Sequence, residues 1–205
     1  MIVFTSDHGD YMGDHWMGEK ELFHEVSVRV PLIIYDPRAE ADATRGTASQ
    51  ALVEAIDLVP TFLDATGAPP AYHRLEGRSL EPLLHGETPA DWRDDVFSEI
   101  DYAFYAARQT LGVGPSEARG YMIRTERWKY VHFLNFPPQL FDLLNDPDEL
   151  QDLGRDPAPE DIRREMHNRL LARLLRRKNR VAMTDEEVQG IRVSENTSGI
   201  VIGKW

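Results

Sequence analysis

At 205 residues the chain fits one large domain or one and a half small ones, and with 41% hydrophobic and 9% aromatic residues it can bury a core. Its formal net charge of -12 is the wrong sign for a surface that gathers nucleic acid or anionic lipid by long-range attraction. Cysteine is absent, which excludes a disulfide framework, a thiolate metal site and a thiol nucleophile within these residues. No run approaches the roughly 18 apolar residues of a membrane span, and no charged leader with a cleavage site opens the chain. A soluble, cytoplasmic protein is the expectation.

Ile2 to Thr5 reads as a buried strand running into a turn at Gly9. Arg29 to Tyr35, "RVPLIIY", reads as a second buried strand, with Pro31 near its start where a missing N–H is tolerated. Leu52, Ile56, Val59 and Leu63 keep helical spacing, so a helix is predicted over 52–63. It can restart at Asp57 with Pro60 in a first turn, and Gly67 ends it. "SLEPLLHG" is a short helix begun by Ser79 and stopped by Gly86. Residues 104–120 carry little pattern and read as a loop.

"YMIRTERWKYVHF" alternates well enough for two strands around a tight turn at Thr125 to Arg127, and "QLFDLLNDPDE" adds a further strand and turn. Pro159 to Arg177 is predicted as a helix, with Ile162, Met166, Leu170 and Leu174 on one stripe. Along and beyond it run Arg163, Arg164, Arg169, Arg173, Arg176, Arg177, Lys178 and Arg180. These are expected to form a solvated face or an interface with an acidic neighbour. The closing "TSGIVIGKW" is apolar and is expected to pack onto its own domain or a neighbouring subunit.

The chemistry concentrates in residues 5–15, "TSDHGDYMGDH". Adjacent residues on a strand face opposite ways, so Asp7 and His8 share one metal only if the chain turns between them, and Gly9 permits a turn. A carboxylate oxygen with a neutral imidazole nitrogen suits a divalent ion such as Mn²⁺ or Zn²⁺, and tolerates Ca²⁺ or Mg²⁺ if the other ligands are carboxylates. At least two more ligands are needed. Asp10, Asp14 and His15 are the local candidates, and the alternative is a contribution from elsewhere. Lys20 near a metal would be the partner for a sulfate or phosphate oxygen. By itself an Asp-His-Gly tripeptide is an ordinary turn.

The wider arrangement says more. "FTSDHGDYMGDHWMGEKELFHEVSVRVPLIIYDP" resembles the second metal-binding segment of the sulfatases and the related phosphonate monoester hydrolases, in the alkaline phosphatase superfamily. "AIDLVPTFLDATGAPP", "LEGRSLEPLLHGE", "YMIRTERWKYV" and "QLFDLLNDPDE" follow in the family's order, so the likeness covers most of residues 2–150. "GIVIGKW" looks most like the phosphonate monoester hydrolase branch, where a C-terminal arm helps build a homo-oligomer.

The resemblance implies an α/β, alkaline phosphatase-like fold: a mixed, mostly parallel sheet with helices, plus a small C-terminal antiparallel sheet and helix. Residues 1–90 would end the large domain, 91–180 form the C-terminal subdomain, and 181–205 the arm. It implies that Asp7 and His8 hold one divalent metal ion, Ca²⁺ or Mn²⁺ ahead of Zn²⁺ or Mg²⁺. Lys20 is the implied catalytic and substrate-binding group, and His15 a substrate-side neighbour. Asp10 and Asp14 would support the loop, and Glu25 and Arg29 would pair structurally. The implied substrate is a small sulfate, phosphate or phosphonate ester, with neither nucleic acid nor membrane as partner.

Family enzymes attack with a formylglycine made in a "C/S-x-P-x-R" segment and take further metal carboxylates from an N-terminal Asp pair. Neither segment occurs in these residues, so the expectation is a C-terminal fragment, inactive alone. The alternative is a truncated paralogue serving as an oligomerisation or binding module. Ser6 with His8 as a serine hydrolase lacks the "G-x-S-x-G" pattern and a third group. Asn196 in "N-T-S" is taken as a chance glycosylation match.

Overall fold

The structure, a computed structural model, describes residues 1–191. The apolar tail, Asn196 and most of the expected arm lie outside the described residues. Strand β1, Ile2–Thr5, is followed by a long loop, helix α1, Glu25–Val28, and strand β2, Leu32–Tyr35. The two strands pair antiparallel, with Ile2 opposite Tyr35 and Phe4 opposite Ile33. The strand expected from Arg29 begins three residues later because Arg29 still closes α1, its N–H bonding Glu25 O at 2.9 Å, and Pro31 has no N–H to give. Both strands are apolar on both faces, as buried strands are. Yet Ile2, Phe4, Ile33 and Tyr35, which share one face, are exposed, so burial was overestimated for this pair.

The helix predicted over 52–63 is divided as its sequence suggests. A 3₁₀ turn at Ala55–Asp57 leads into α2, Leu58–Thr66, which ends at Gly67 with Pro60 in the first turn. Asp57 explains the division. Its fully buried carboxylate accepts the N–H of Glu54 at 2.8 Å and of Arg78 at 2.7 Å, and meets the Arg93 guanidinium, Nη2 to Oδ1 at 2.6 Å. The short helix α3, Glu81–Leu84, starts with the Ser79 hydroxyl accepting Glu81 N–H at 3.3 Å.

Strand β3, Val96–Asp101, opens a second sheet. The segment expected as a loop instead holds helix α4, Ala106–Thr110, and a 3₁₀ turn at Pro115–Glu117. Arg108 closes it, donating to Ala103 O at 2.7 Å and Val113 O at 3.1 Å, a tie that composition does not reveal. Strands β4, Arg119–Arg124, β5, Trp128–Phe133, and β6, Gln139–Asp142, complete an antiparallel sheet in the order β3-β4-β5-β6. Its turn falls at Thr125 to Arg127, as the alternation predicts.

The long helix α5, Glu160–Leu175, crosses this sheet. Met166 and Leu170 are buried against Ile123, Tyr130 and Leu140, with Ile162 and Leu174 packed beside them. On the opposite face Met122 and Val131 bury Phe23, with Val28 alongside. The sheet is thus lined on both sides, and its second face carries the turn that enters α1. A last short helix, α6, Asp185–Gly190, is capped by Thr184. Among the described residues no helix is long and apolar enough to cross a membrane.

Candidate metal and anion site

Beyond Thr5 the chain folds back on itself. The Ser6 hydroxyl donates to His8 O at 2.7 Å, so it is spent on the backbone and is not directed at the imidazole. Gly9 N–H donates to Ser27 O at 2.7 Å. A Cβ on Gly9 would come within 1.9 Å of Val26 O, so glycine is required here by the close approach of two backbones.

This geometry orients His8. Its Nδ1 lies 2.6 Å from Gly9 O, an acceptor only, so Nδ1 carries the proton. The Nε2 lone pair is then free to accept, and it lies 2.6 Å from the Lys20 ammonium and 3.5 Å from Asp7 Oδ2. Three groups named from sequence therefore meet at one point. Lys20 is itself held from behind, since Ser27 Oγ donates to Lys20 O at 2.9 Å. Asp7, His8 and Lys20 are among the residues lining a wide cleft of about 2030 Å³, as are Arg29 and Arg124.

The loop between His8 and Lys20 is closed by Tyr11 N–H to Glu19 O at 2.9 Å and Gly13 N–H to Met17 O at 2.9 Å. Met12, His15, Trp16 and Glu19 all adopt positive φ within it, a concentration of backbone strain of the kind held near ligand sites. The remaining candidates do not join the trio. Asp10 Oδ1 accepts Met12 N–H at 2.8 Å and shapes the loop, and Asp14 opens a 3₁₀ turn. His15 stacks on His24 at 4.0 Å and does not line the cleft with Lys20. Its stacking partner explains the difference, being an aromatic neighbour brought in from beyond the loop.

Tested against a divalent ion, the residues fit half a site. Asp7 and His8 supply an oxygen and a nitrogen, the nitrogen being engaged by the Lys20 ammonium at 2.6 Å. Among the described residues no group of three or more His, Asp or Glu is arranged to hold a metal.

Behind the site lies a cluster the sequence reading missed. Glu25 is expected to pair with Arg29, which is exposed; instead its Oε1 meets Lys129 Nζ at 2.8 Å and Arg124 Nε at 3.1 Å. Lys129 also meets Glu149 Oε1 at 2.7 Å. Burial pushes Glu25 up, but Lys129, Arg124 and Arg29 together bring it below its ordinary value; for Glu149 burial wins and the carboxyl is raised. His24, half-buried and beside His15 and Lys129, is pulled down to about 4, and Tyr11, whose hydroxyl meets His24 Nδ1 at 2.7 Å, is pushed up by burial to about 12. A lysine at an inward position of an apolar strand, "WKYV", was the available signal for this cluster. Nothing in the sequence marked Ser27.

The sequence model of the family described as N-sulphoglucosamine sulphohydrolase, C-terminal, matches residues 13–176. Over 161 residues the chain is 37% identical to the multifunctional alkaline phosphatase superfamily protein PehA of Trinickia caryophylli, covering 77% of this chain and 31% of that protein. It is 35% identical to the N-acetylglucosamine-6-O-sulfatase of Bacteroides thetaiotaomicron, covering 75% and 26%. The phosphonate monoester hydrolase SpPMH from Silicibacter pomeroyi superposes with a TM-score of 0.80 at 33% identity, covering 91% of this chain and 37% of that one. The chain thus spans about a third of the length of the relatives it matches. The fold is of the alkaline phosphatase-like α/β class, and the chain belongs to the sulfatase family of that superfamily, matching its C-terminal portion.

Proposed function

We propose that this chain is the C-terminal part of a metal-dependent hydrolase of sulfate, phosphate or phosphonate esters, and that Asp7, His8 and Lys20 are its share of the active centre. The observation that carries this reading is the meeting of a carboxylate, an imidazole Nε2 and an ammonium in the lining of the cleft. The relatives named as a sulfatase and a phosphonate monoester hydrolase support the ester class.

Asp7 and His8 would hold one divalent ion, Ca²⁺ or Mn²⁺ ahead of Zn²⁺ or Mg²⁺. When bound, such an ion supplies Lewis-acid polarisation of the ester oxygens. Gly9 O keeps the His8 proton on Nδ1, so Nε2 is presented as a donor pair without a tautomer change. The Lys20 ammonium offsets charge developing on a non-bridging oxygen of the sulfuryl or phosphoryl group. The further ligands and the nucleophile, a formylglycine by resemblance, are assigned to sequence outside these residues. The exposed apolar face of β1 and β2 supports that assignment, since covering each of its large side chains contributes ~1.5–3 kcal/mol.

The competing reading, a binding module built on the basic helix, draws no support from α5. Arg169 is paired with Asp94 at 3.0 Å, Arg173 with Glu54 at 2.9 Å and Arg177 with Glu99 at 2.9 Å, so these cations are spent within the chain.

Calorimetric titration of Mn²⁺ into the chain, with Asp7→Asn and His8→Ala as folded controls, tests the assignment. Binding that is lost in both variants is expected; identical isotherms for all three chains would refute it. The 205-residue chain alone is expected to leave aryl sulfates and phenylphosphonate esters at the background rate. Family-like turnover would place the nucleophile within it after all.

A further inference from the structure

We propose that Lys129 is a positioning residue for this site: from β5 it fixes the turn over residues 23–27 and, through Ser27, holds His8 and Lys20 in register. The inference rests on the assignment of Asp7, His8 and Lys20 given above, and it deepens that assignment.

The links are continuous. Lys129 is fully buried, with Nζ 2.8 Å from Phe23 O, 2.8 Å from Glu25 Oε1 and 2.7 Å from Glu149 Oε1. Phe23 O accepts a hydrogen bond from the ammonium, and the two carboxylates meet it as ion-pair partners. Glu149 Oε2 accepts the Glu25 N–H at 2.5 Å, so the first residue of α1 is gripped by side chain and backbone together. Two residues on, Ser27 O accepts Gly9 N–H at 2.7 Å, and Ser27 Oγ donates to Lys20 O at 2.9 Å. Gly9 O in turn fixes the His8 tautomer.

The cluster is costly to build, which argues for a purpose beyond stability. Arg124 lies directly opposite Lys129 across the β4–β5 ladder, and facing cations repel. Glu25 Oε1 bridges them, at 3.1 Å from one and 2.8 Å from the other. A buried ion cluster of this sort does little for stability that an apolar core would not do. What it adds is a directed grip on one backbone turn, and that turn is the one bonded to both halves of the site.

Nitrogen-15 NMR of the histidine-labelled chain at pH 8, without metal, tests the proposal. Wild type is expected to hold His8 in the Nδ1–H form. In Lys129→Met, His8 is expected to move to the Nε2–H form favoured by free imidazole, while His132 and His167 on the α5 side of the sheet keep their signals. Mn²⁺ affinity should fall about ten-fold, as for other groups that orient a ligand from behind. Glu149→Ala keeps Lys129 but removes one of its ion partners and the acceptor of the Glu25 N–H, and is expected to release His8 in the same way; it decides the matter if Lys129→Met does not fold. An unchanged His8 tautomer in either folded variant overturns the proposal. Because the tautomer is read without metal, a wild-type chain that binds no Mn²⁺ counts against the metal assignment alone.

Discussion

The Nε2 atom of His8 lies 2.6 Å from Nζ of Lys20, so the ammonium donates into the lone pair that a metal ion would need. The two cations compete for one nitrogen and repel each other. Removing the lysine charge should therefore help the isolated chain bind metal, although it would harm any reaction that uses the ammonium. Lys20→Met is expected to raise Mn²⁺ affinity about five-fold, since unit charges about 4 Å apart in water interact by ~1 kcal/mol. Titration at low ionic strength checks this. A drop in affinity would mean that Lys20 shapes the site and does not compete for it.

Gly9 and Gly13 separate two reasons for glycine. A Cβ on Gly9 would meet Val26 O at 1.9 Å, whereas Gly13, at φ 106°, has open space around it. Gly9→Ala should force β1 away from α1, a backbone displacement costing ~3 kcal/mol or more. Gly13→Ala should cost only the strain of its dihedral, about 1 kcal/mol. Urea denaturation of both variants gives the comparison, and equal losses would remove the close approach as the reason for Gly9.

These contrasts explain what the sequence disclosed. The stripe Ile162, Met166, Leu170 and Leu174, and the alternation through Tyr121 to Phe133, are local patterns, and local patterns fix α5 and the β4–β5 hairpin directly. Asp7, His8 and Lys20 stood out because their chemistry and order carry the resemblance, and the fold brings the three together. Ser27 and Glu149 were not, since each acts through a partner far away in sequence: Glu149 reaches Glu25 across the whole small sheet. The partner of Glu25 was misjudged for the same reason. Arg29, near in sequence, is outcompeted by Lys129, which the sheet delivers buried. The tilt toward buried strands failed at β1 and β2 because their apolar face is covered by nothing among the described residues.

The pH response follows from His24. Burial first, then His15 and Lys129, lower its pKa from 6.5 to about 4, and the neutral ring accepts the Tyr11 hydroxyl. The unfolded chain therefore binds this proton more readily than the folded one between about pH 6.5 and 4. Stability is fully present above pH 6.5 and is lost as pH falls towards 4, by up to ~3 kcal/mol. Asp142 acts in a lower window. The Arg127 guanidinium holds its carboxyl at about 2, so its contribution is present above 3.8 and disappears as pH falls through 2. The difference between urea midpoints at pH 7 and pH 4.5 should be smaller in His24→Gln than in wild type. A His24→Gln chain with the wild-type pH slope would place the titration elsewhere.

Arg93 and Asp57 show what a buried pair demands. Side-chain exposure is 4% for the arginine and 0% for the aspartate, against 65% and 86% for Arg164 and Asp161 on the outer face of α5. Arg93→Met would leave a carboxylate without its cation in the interior, where loss of one partner costs ~3–5 kcal/mol. Arg164→Met should cost less than about 1 kcal/mol, because water already screens that pair. Asp57 also anchors the N–H groups of Glu54 and Arg78, so its Asn variant retains an acceptor for one of them and should be milder than Ala. Thermal unfolding of the four variants should rank Arg93→Met and Asp57→Ala as the most damaged and Arg164→Met as the least. Should Arg93→Met and Arg164→Met melt together, burial is not what makes the inner pair matter, and α2 must be held at its start by the backbone bonds to Asp57 alone.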